Sequence, residues 1–341
     1  MAKAKPIELR PPYLIFVGDQ QNPGYAKTGF GLVDWRRELV VGQLRFSDDA
    51  IDLGVPDIDL RDADVAGARS LLIGVAPVGG SMPADWWQVL IAAAETGLDI
   101  VSGLHCRLSE NAMLRAVAKE SGARLIDIRV PPSNLPIASG KKRTGKRVLM
   151  VGTDCAVGKK YSALALDIAL RELDAKSTFR ATGQTGIMIA GSGLPIDAVV
   201  SDFVSGAAEL VSPDNEADHW DVIEGQGSIF HPGYAGVSLG LLHGSQPDAI
   251  VVCHDVSRTA VLGWPDYETP TISECAELNL TLARRTNPHV RCVGVCVNTS
   301  SLPVTERSAY LDGLTIETGL PCVDPVIDGC TAIAKALISR A

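Results

Sequence analysis

The chain has 341 residues and a formal net charge of −9. That length exceeds one ordinary core and suits two domains, while the acidic balance argues against generic nucleic-acid binding and against adhesion to an anionic membrane. With 46% hydrophobic and 21% charged residues the composition is that of a folded chain, not a disordered one.

The first half alternates strands with helices. A strand over 13–17 runs into Gly18-Asp19-Gln20 and a loop from Asn22 to Gly29. A second strand, 70–75, runs into Ala76-Pro77-Val78-Gly79-Gly80. A helix over 85–96 follows, with Trp86, Val89, Leu90 and Ala93 as its apolar stripe. Strand 99–102 ends at Gly103-Leu104-His105, and a helix over 110–122 leads to strand 124–129. This alternation predicts a mostly parallel, doubly wound α/β domain over residues 1–136. Its ligand crevice is expected at the carboxyl ends of the strands. Lys27, His105 and Arg107 lie there. Lys27 and Arg107 are candidates for pairing with substrate carboxylates.

Residues 137–146 read as a linker, because prolines and a basic cluster (Lys141, Lys142, Arg143, Lys146, Arg147) break the periodicity. The cluster is either a solvated hinge or a rim of charge near an anionic ligand.

The second half, 147–341, opens with a strand over 147–151, a glycine loop and a helix carrying Ala163, Leu166, Leu170 and Leu173 on one side. The loop is close to the phosphate-binding pattern G-x-x-x-x-G-K-[ST]. Aligned on Gly158-Lys159, it has Thr153 at the first glycine position and Lys160 where the magnesium-holding hydroxyl belongs. A second ammonium in place of that hydroxyl predicts a phosphorylated ligand held without metal. Thr153, Asp154, Cys155, Ala156, Val157, Gly158, Lys159, Lys160 and Tyr161 are therefore candidate binding residues.

Further strands at 177–180, 221–223, 249–253, 290–297 and 322–323 suit a P-loop-like α/β domain. Strand 221–223 ends at Glu224-Gly225-Gln226-Gly227, placing a carboxylate opposite the phosphate site. Glu224 is a candidate general base, with His231 and His254 as alternatives. Thr182-Gly183-Gln184-Thr185-Gly186 is a candidate second concavity near the phosphates, so Gln184 joins the binding set. Asn298, after an apolar strand, is a candidate adenine contact.

The eight cysteines contain no C-x-x-C pair and read mostly as buried thiols of a reducing compartment. Cys155 is the exception. It lies near a helix N-terminus, where a thiol's pKa falls, and is a candidate acyl-carrying nucleophile. No apolar run reaches the roughly 18 residues of a membrane span, and 13–18 is too short for a signal peptide. The expected location is cytoplasmic.

The segment Gly152-Thr-Asp-Cys-Ala-Val-Gly-Lys159 resembles the loop of dethiobiotin synthetase and its P-loop relatives, and Glu224-Gly-Gln-Gly resembles their Glu-Gly-x-Gly segment. Those enzymes carry Thr after the lysine. A longer series resembles the DgcN family over nearly the whole chain. It comprises Gly74-Val-Ala-Pro-Val-Gly-Gly80, Ser102-Gly-Leu-His105, the loop itself, Thr182-Gly-Gln-Thr-Gly-Ile-Met-Ile189, Asp202-Phe203, Ile223-Glu-Gly-Gln-Gly-Ser228, His231-Pro232 and Leu242-His-Gly-Ser245.

The resemblance implies an N-terminal Rossmann-like domain, a C-terminal P-loop domain and acetyl transfer from acetyl-CoA to D-glutamate. On that reading the P-loop holds the phosphates of CoA, and no metal is expected. Glu224, His231 or His254 takes the ammonium proton, and the Gly225–Gly227 turn supplies oxyanion donors, with Gly225 and Gln226 at the substrate. The acceptor, an acidic amino acid, is expected in the cleft between the domains of a homo-oligomer. Two alternatives stay open: an ATP- and Mg²⁺-dependent ligase or kinase of the dethiobiotin synthetase kind, and a non-catalytic nucleotide-sensing or metal-chaperone protein.

Overall fold

The computed structural model describes residues 4–76 and 82–339. The expected strand-end loop 76–80 therefore falls, from Pro77 on, outside the described residues. The chain divides into two compact units. The first takes Ile7–Pro131 and Gln184–Pro195; the second takes residues 4–6, Pro132–Gly183 and the chain from Ile196.

In the first unit a short strand β1 (Ile7–Glu8) precedes β2 (Tyr13–Gly18), β3 (Val40–Arg45), β4 (Ser70–Ile73), β5 (Asp99–Ser102) and β6 (Leu125–Asp127). The last five form a wholly parallel sheet in the order β3-β2-β4-β5-β6. This is a doubly wound order with its switch point beside the first strand. β2 and β4 are buried at every position, as expected of strands covered on both faces. Helices α1 (Lys27–Arg36), α2 (Ala84–Glu95) and α3 (Ala112–Ser121) belong here. α2 buries Trp86, Leu90, Ala93 and Ala94 along one stripe. α3 starts where the Asn111 side chain accepts from Leu114 N–H and stops at Gly122 in the left-handed region.

Two elements were not legible in the sequence. β3 lacks both alternation and a continuous apolar run. α1 begins within the last three residues of the expected loop and contains Gly29. That glycine is a matter of approach: its N–H donates to the Gly74 carbonyl at 2.8 Å, and a Cβ there would meet Leu53 at 2.9 Å.

The second unit begins with β7 (Lys146–Gly152) and α4 (Lys159–Glu172), followed by β8 (Ser177–Arg180). The chain then leaves it. α5 (Gln184–Ala190) and β9 (Ser192–Gly193) belong to the first unit, where β9 pairs antiparallel with β1. The contiguous division expected from sequence does not contain this excursion. The chain resumes with α6 (Val204–Val211), β10 (Trp220–Ile223), α7 (Ala235–Ser245) and β11 (Ala249–Asp255). A ribbon of β12 (Ala260–Val261) and β13 (Trp264–Glu268) comes next, then α8 (Ile272–Ala283), β14 (Arg291–Asn298), α9 (Val304–Thr318), β15 (Cys322–Val323) and α10 (Thr331–Ile338). The main sheet is parallel, in the order β15-β14-β11-β7-β10-β8.

The two arginines of the basic cluster form neither a hinge nor a rim. Arg147 is fully buried, and its guanidinium donates to the carbonyls of Arg143, Thr144, Gly145 and Pro213. Arg143 donates to the Ser212, Gly244 and Ser245 carbonyls, and burial holds its pKa down to about 10. Lys142 pairs with Asp248 at 2.7 Å. Planar guanidinium forks satisfy the carbonyls of an irregular segment that has no ladder of its own, so the cluster staples the linker to the second unit. No helix among the described residues is long and apolar enough to cross a membrane.

Candidate active site

A parallel sheet brings the carboxyl end of every strand to one edge. In the second unit that edge carries, in lateral order, Thr182 after β8, Glu224 after β10, the glycine loop after β7, His254 in β11 and Asn298 at the end of β14. Glu224 and His254 thus flank the loop, one strand away on either side, and Asn298 lies two strands away. With strands about 4.8 Å apart, flanking groups are within reach of a ligand on the loop. β7 is also where the strand order reverses, which opens a crevice above its end.

The loop is held from inside. Thr153 N–H donates to the Cys253 carbonyl at 3.1 Å, and Ser228 Oγ donates to the Thr153 carbonyl at 3.3 Å. The fully buried Asp154 carboxylate accepts from Cys155 N–H at 2.7 Å, Leu262 N–H at 2.7 Å and the Arg258 guanidinium at 3.1 Å. Ala156 sits at φ +55° and Gly158 at φ +97°. The alanine's unfavourable conformation is stored in the loop itself. Lys159 is buried, donates to the Asp154 carbonyl at 2.7 Å, and has its pKa lowered by desolvation. Lys160 Nζ lies 4.3 Å from the centroid of the Tyr161 ring. No side chain caps the start of α4, so its first-turn N–H groups are available to an anion.

Glu224 is buried, and its Oε2 accepts from Thr182 N–H at 2.9 Å and Gly183 N–H at 3.0 Å. Thr182 Oγ1 donates back to the Glu224 carbonyl at 2.7 Å, and Gln226 Nε2 donates to Thr182 Oγ1 at 3.0 Å. Burial pushes the Glu224 carboxyl up, while the two N–H bonds and nearby Lys160 oppose that rise. Gly225 lets the chain cross β7 closely. A Cβ there would fall well inside contact distance of the Met150 carbonyl oxygen and 2.9 Å from Lys159 Cδ.

Several sequence expectations are corrected. The segment 182–186 is not a free concavity, because its first two N–H groups are spent on Glu224 and Gln184 opens α5. Gln184 lies in the first unit beside Gly103. Cys155 is not activated: burial raises its thiol pKa despite Lys159. His231 is 1% exposed, and its Nδ1 accepts from Gly233 N–H at 3.1 Å. The Nδ1 lone pair is thereby committed, so that nitrogen is not open to take a substrate proton. His254 has its pKa lowered by burial, and its Nδ1 is 3.1 Å from Thr153 Oγ1.

Asn298 uses its amide internally: Nδ2 donates to Asp255 at 2.9 Å, and Oδ1 accepts from Ser300 N–H at 3.1 Å. One N–H and one carbonyl lone pair are left for a ligand. Lys27, at the start of α1, and His105 and Arg107, after β5, are exposed at the carboxyl edge of the first unit's sheet.

Ligand atoms of Asp154, Cys155 and His231 lie within 4.8 Å of one another. The Asp154 carboxylate already pairs with Arg258, whose charge opposes a cation. Sequence reasoning also missed the surroundings of His231. The Tyr234 ring lies 4.5 Å from it, tilted, and the Trp264 ring lies 4.5 Å from it, edge-on. The only available signal was an aromatic pair in the polar stretch 264–268 after Gly263.

Comparison with known proteins gives matches over both units. A family model described as a domain of unknown function, the P-loop domain of DUF1611, matches residues 136–334. A second, the Rossmann-like N-terminal domain of DUF1611, matches residues 44–131. A protein of Tritonibacter scottomollicae named D-glutamate N-acetyltransferase is 47% identical over 329 residues, covering 96% of this chain and 99% of that one. A protein of a Pseudoalteromonas species with the same name is 45% identical, covering 97% of this chain and 100% of that one. The crystal structure of a DUF1611 family protein from Anabaena variabilis matches with a TM-score of 0.82 at 32% identity, covering 97% of this chain and 100% of that one.

Proposed function

This chain belongs to the DUF1611 family, and we propose that it transfers an acetyl group from acetyl-CoA to the amino group of D-glutamate. The observation that carries this reading is near-full-length identity of 47% and 45% to two D-glutamate N-acetyltransferases. The donor is argued from the loop. Uncapped N–H groups at the start of α4 and the lysines at 159 and 160 suit the phosphates of CoA. The magnesium-binding hydroxyl of an ATP-using loop is replaced by Lys160. The next aliphatic hydroxyl, Ser162 Oγ, donates to the Gly158 carbonyl at 3.1 Å.

The chemistry asks for a base, because D-glutamate arrives as an ammonium at neutral pH. Glu224 is our choice. Its Oε2 is fixed by two N–H groups, its Oε1 accepts no hydrogen bond among the described residues, and burial raises its proton affinity. The freed amine attacks the thioester carbonyl, the C–N bond forms, and the C–S bond breaks with the electron pair leaving on sulfur; the nitrogen's surplus proton passes to that sulfur, so CoA leaves as the thiol. We assign the oxyanion contact to N–H donors of the Gly225–Gly227 turn. Lys27 and Arg107 are our candidates for the acceptor's carboxylates. Eight free cysteines fit a reducing, cytoplasmic setting.

The test is thiol release from acetyl-CoA with a panel of D- and L-amino acids in the presence of EDTA. Release that depends on D-glutamate and ignores EDTA is expected. Release only with ATP and Mg²⁺ present would replace this reading by a ligase or kinase. Lys159→Ala should weaken CoA binding by about tenfold or more, as loss of a charge-assisted phosphate contact does. An unchanged Kd by calorimetry would take the loop out of the donor site.

A further inference from the structure

We infer that the β12–β13 ribbon and Tyr234 form a stacking site for the purine ring of the nucleotide-bearing donor, an inference that rests on the donor reading above. All five residues of β13 are exposed. Trp264 is 38% exposed and Tyr234 50% exposed, while His231 beneath them is 1% exposed. Their ring centroids are 6.5 Å apart with planes at 77°. Two partly exposed aromatic rings therefore stand against a buried imidazole.

An isolated two-stranded ribbon has little stability of its own. This one is tied to the phosphate loop, because Asp154 accepts from both Leu262 N–H, between the two strands, and Arg258, just before β12. One ring nitrogen of His231 comes within 4.8 Å of the Cys155 and Asp154 ligand atoms. The platform thus adjoins the residues that lead into the uncapped end of α4. A ligand with its phosphates on the loop and a planar ring attached through a sugar would bring that ring to this platform.

The charge on the ribbon narrows the occupant. β13 carries Asp266 and Glu268, which repel a phosphate but tolerate a neutral base bearing N–H donors. Stacking of a base on an aromatic side chain is favourable for every base because each has a π-face. CoA supplies such a base on the same molecule as the phosphates.

The experiment is calorimetric titration of wild type and Trp264→Ala with CoA, and with phosphopantetheine, which lacks the purine nucleotide. Trp264→Ala should raise the Kd for CoA by about 5- to 150-fold and leave that for phosphopantetheine unchanged. Trp264→Phe should restore most of the CoA affinity. An unchanged Kd for CoA, or equal weakening of both ligands, would overturn the platform. A fall in oligomer mass by sedimentation with CoA affinity unchanged would assign the ribbon to contact between copies instead. If wild type ignores CoA but binds ADP, the donor reading fails. The platform is then judged by whether Trp264→Ala weakens ADP.

Discussion

Glu224→Gln lowers kcat by about 10²- to 10⁴-fold and leaves the KM for D-glutamate nearly unchanged, the pattern expected when a positioned general base is removed. The substitution is conservative in space, because the glutamine carbonyl oxygen can still accept from Thr182 N–H and Gly183 N–H. Steady-state kinetics at saturating acetyl-CoA is the measurement. Burial raises the folded-state pKa of this carboxyl above its ordinary value. The form that accepts a proton is therefore lost as pH falls through that raised value, and the acid limb of the wild-type rate profile lies above the range of an exposed glutamate. That limb disappears in the variant.

The stability arm has the opposite sense. The folded state holds this proton more tightly than the unfolded chain, so stability present at low pH is lost as pH rises through the raised value. Glu224→Gln removes that loss, and its Tm at neutral pH should equal or exceed wild type. A kcat within about threefold of wild type would move the base to His254.

Gly225→Ala costs about 3 kcal/mol or more, because overpacking here is against backbone that cannot yield. The added methyl meets the Met150 carbonyl oxygen of β7 and Lys159 Cδ, so the β10 turn must lift off the sheet. For a unit of this size that corresponds to a Tm lower by roughly 6–12 °C. Differential scanning calorimetry measures it. Gly313→Ala is the control: a Cβ at that α9 position meets nothing within 4 Å and its φ is negative, so the change should be neutral or slightly stabilising. Equal Tm values for the two variants would show that the turn has room the distances deny. Because the Glu224 side chain and the Gly225 backbone are adjacent, Gly225→Ala should also remove activity at temperatures where the protein remains folded.

The sequence by itself determined a good deal. Alternating apolar strands and helices specified two parallel α/β sheets, since a parallel strand must be buried on both faces and reads as a near-continuous apolar run. The residues after β7, β8, β10 and β14 fell where strand-end residues must fall, so the phosphate loop, Glu224 and Asn298 could all be named before any coordinate. These are local facts of period and punctuation.

The tertiary structure decided what is non-local. Only it commits the Thr182 and Gly183 N–H groups to Glu224, 42 and 41 residues away. Only it places Trp264 against His231 and turns Arg143 and Arg147 inward. It also sends α5 and β9 into the other unit, an excursion that no change of composition marks. In most of these cases one group's state depends on a partner distant in sequence. A thiol expected to be acidic is likewise made less so by burial. Desolvation and hydrogen-bond commitment are properties of a surrounding, and a sequence read along one dimension carries the residue without its surrounding.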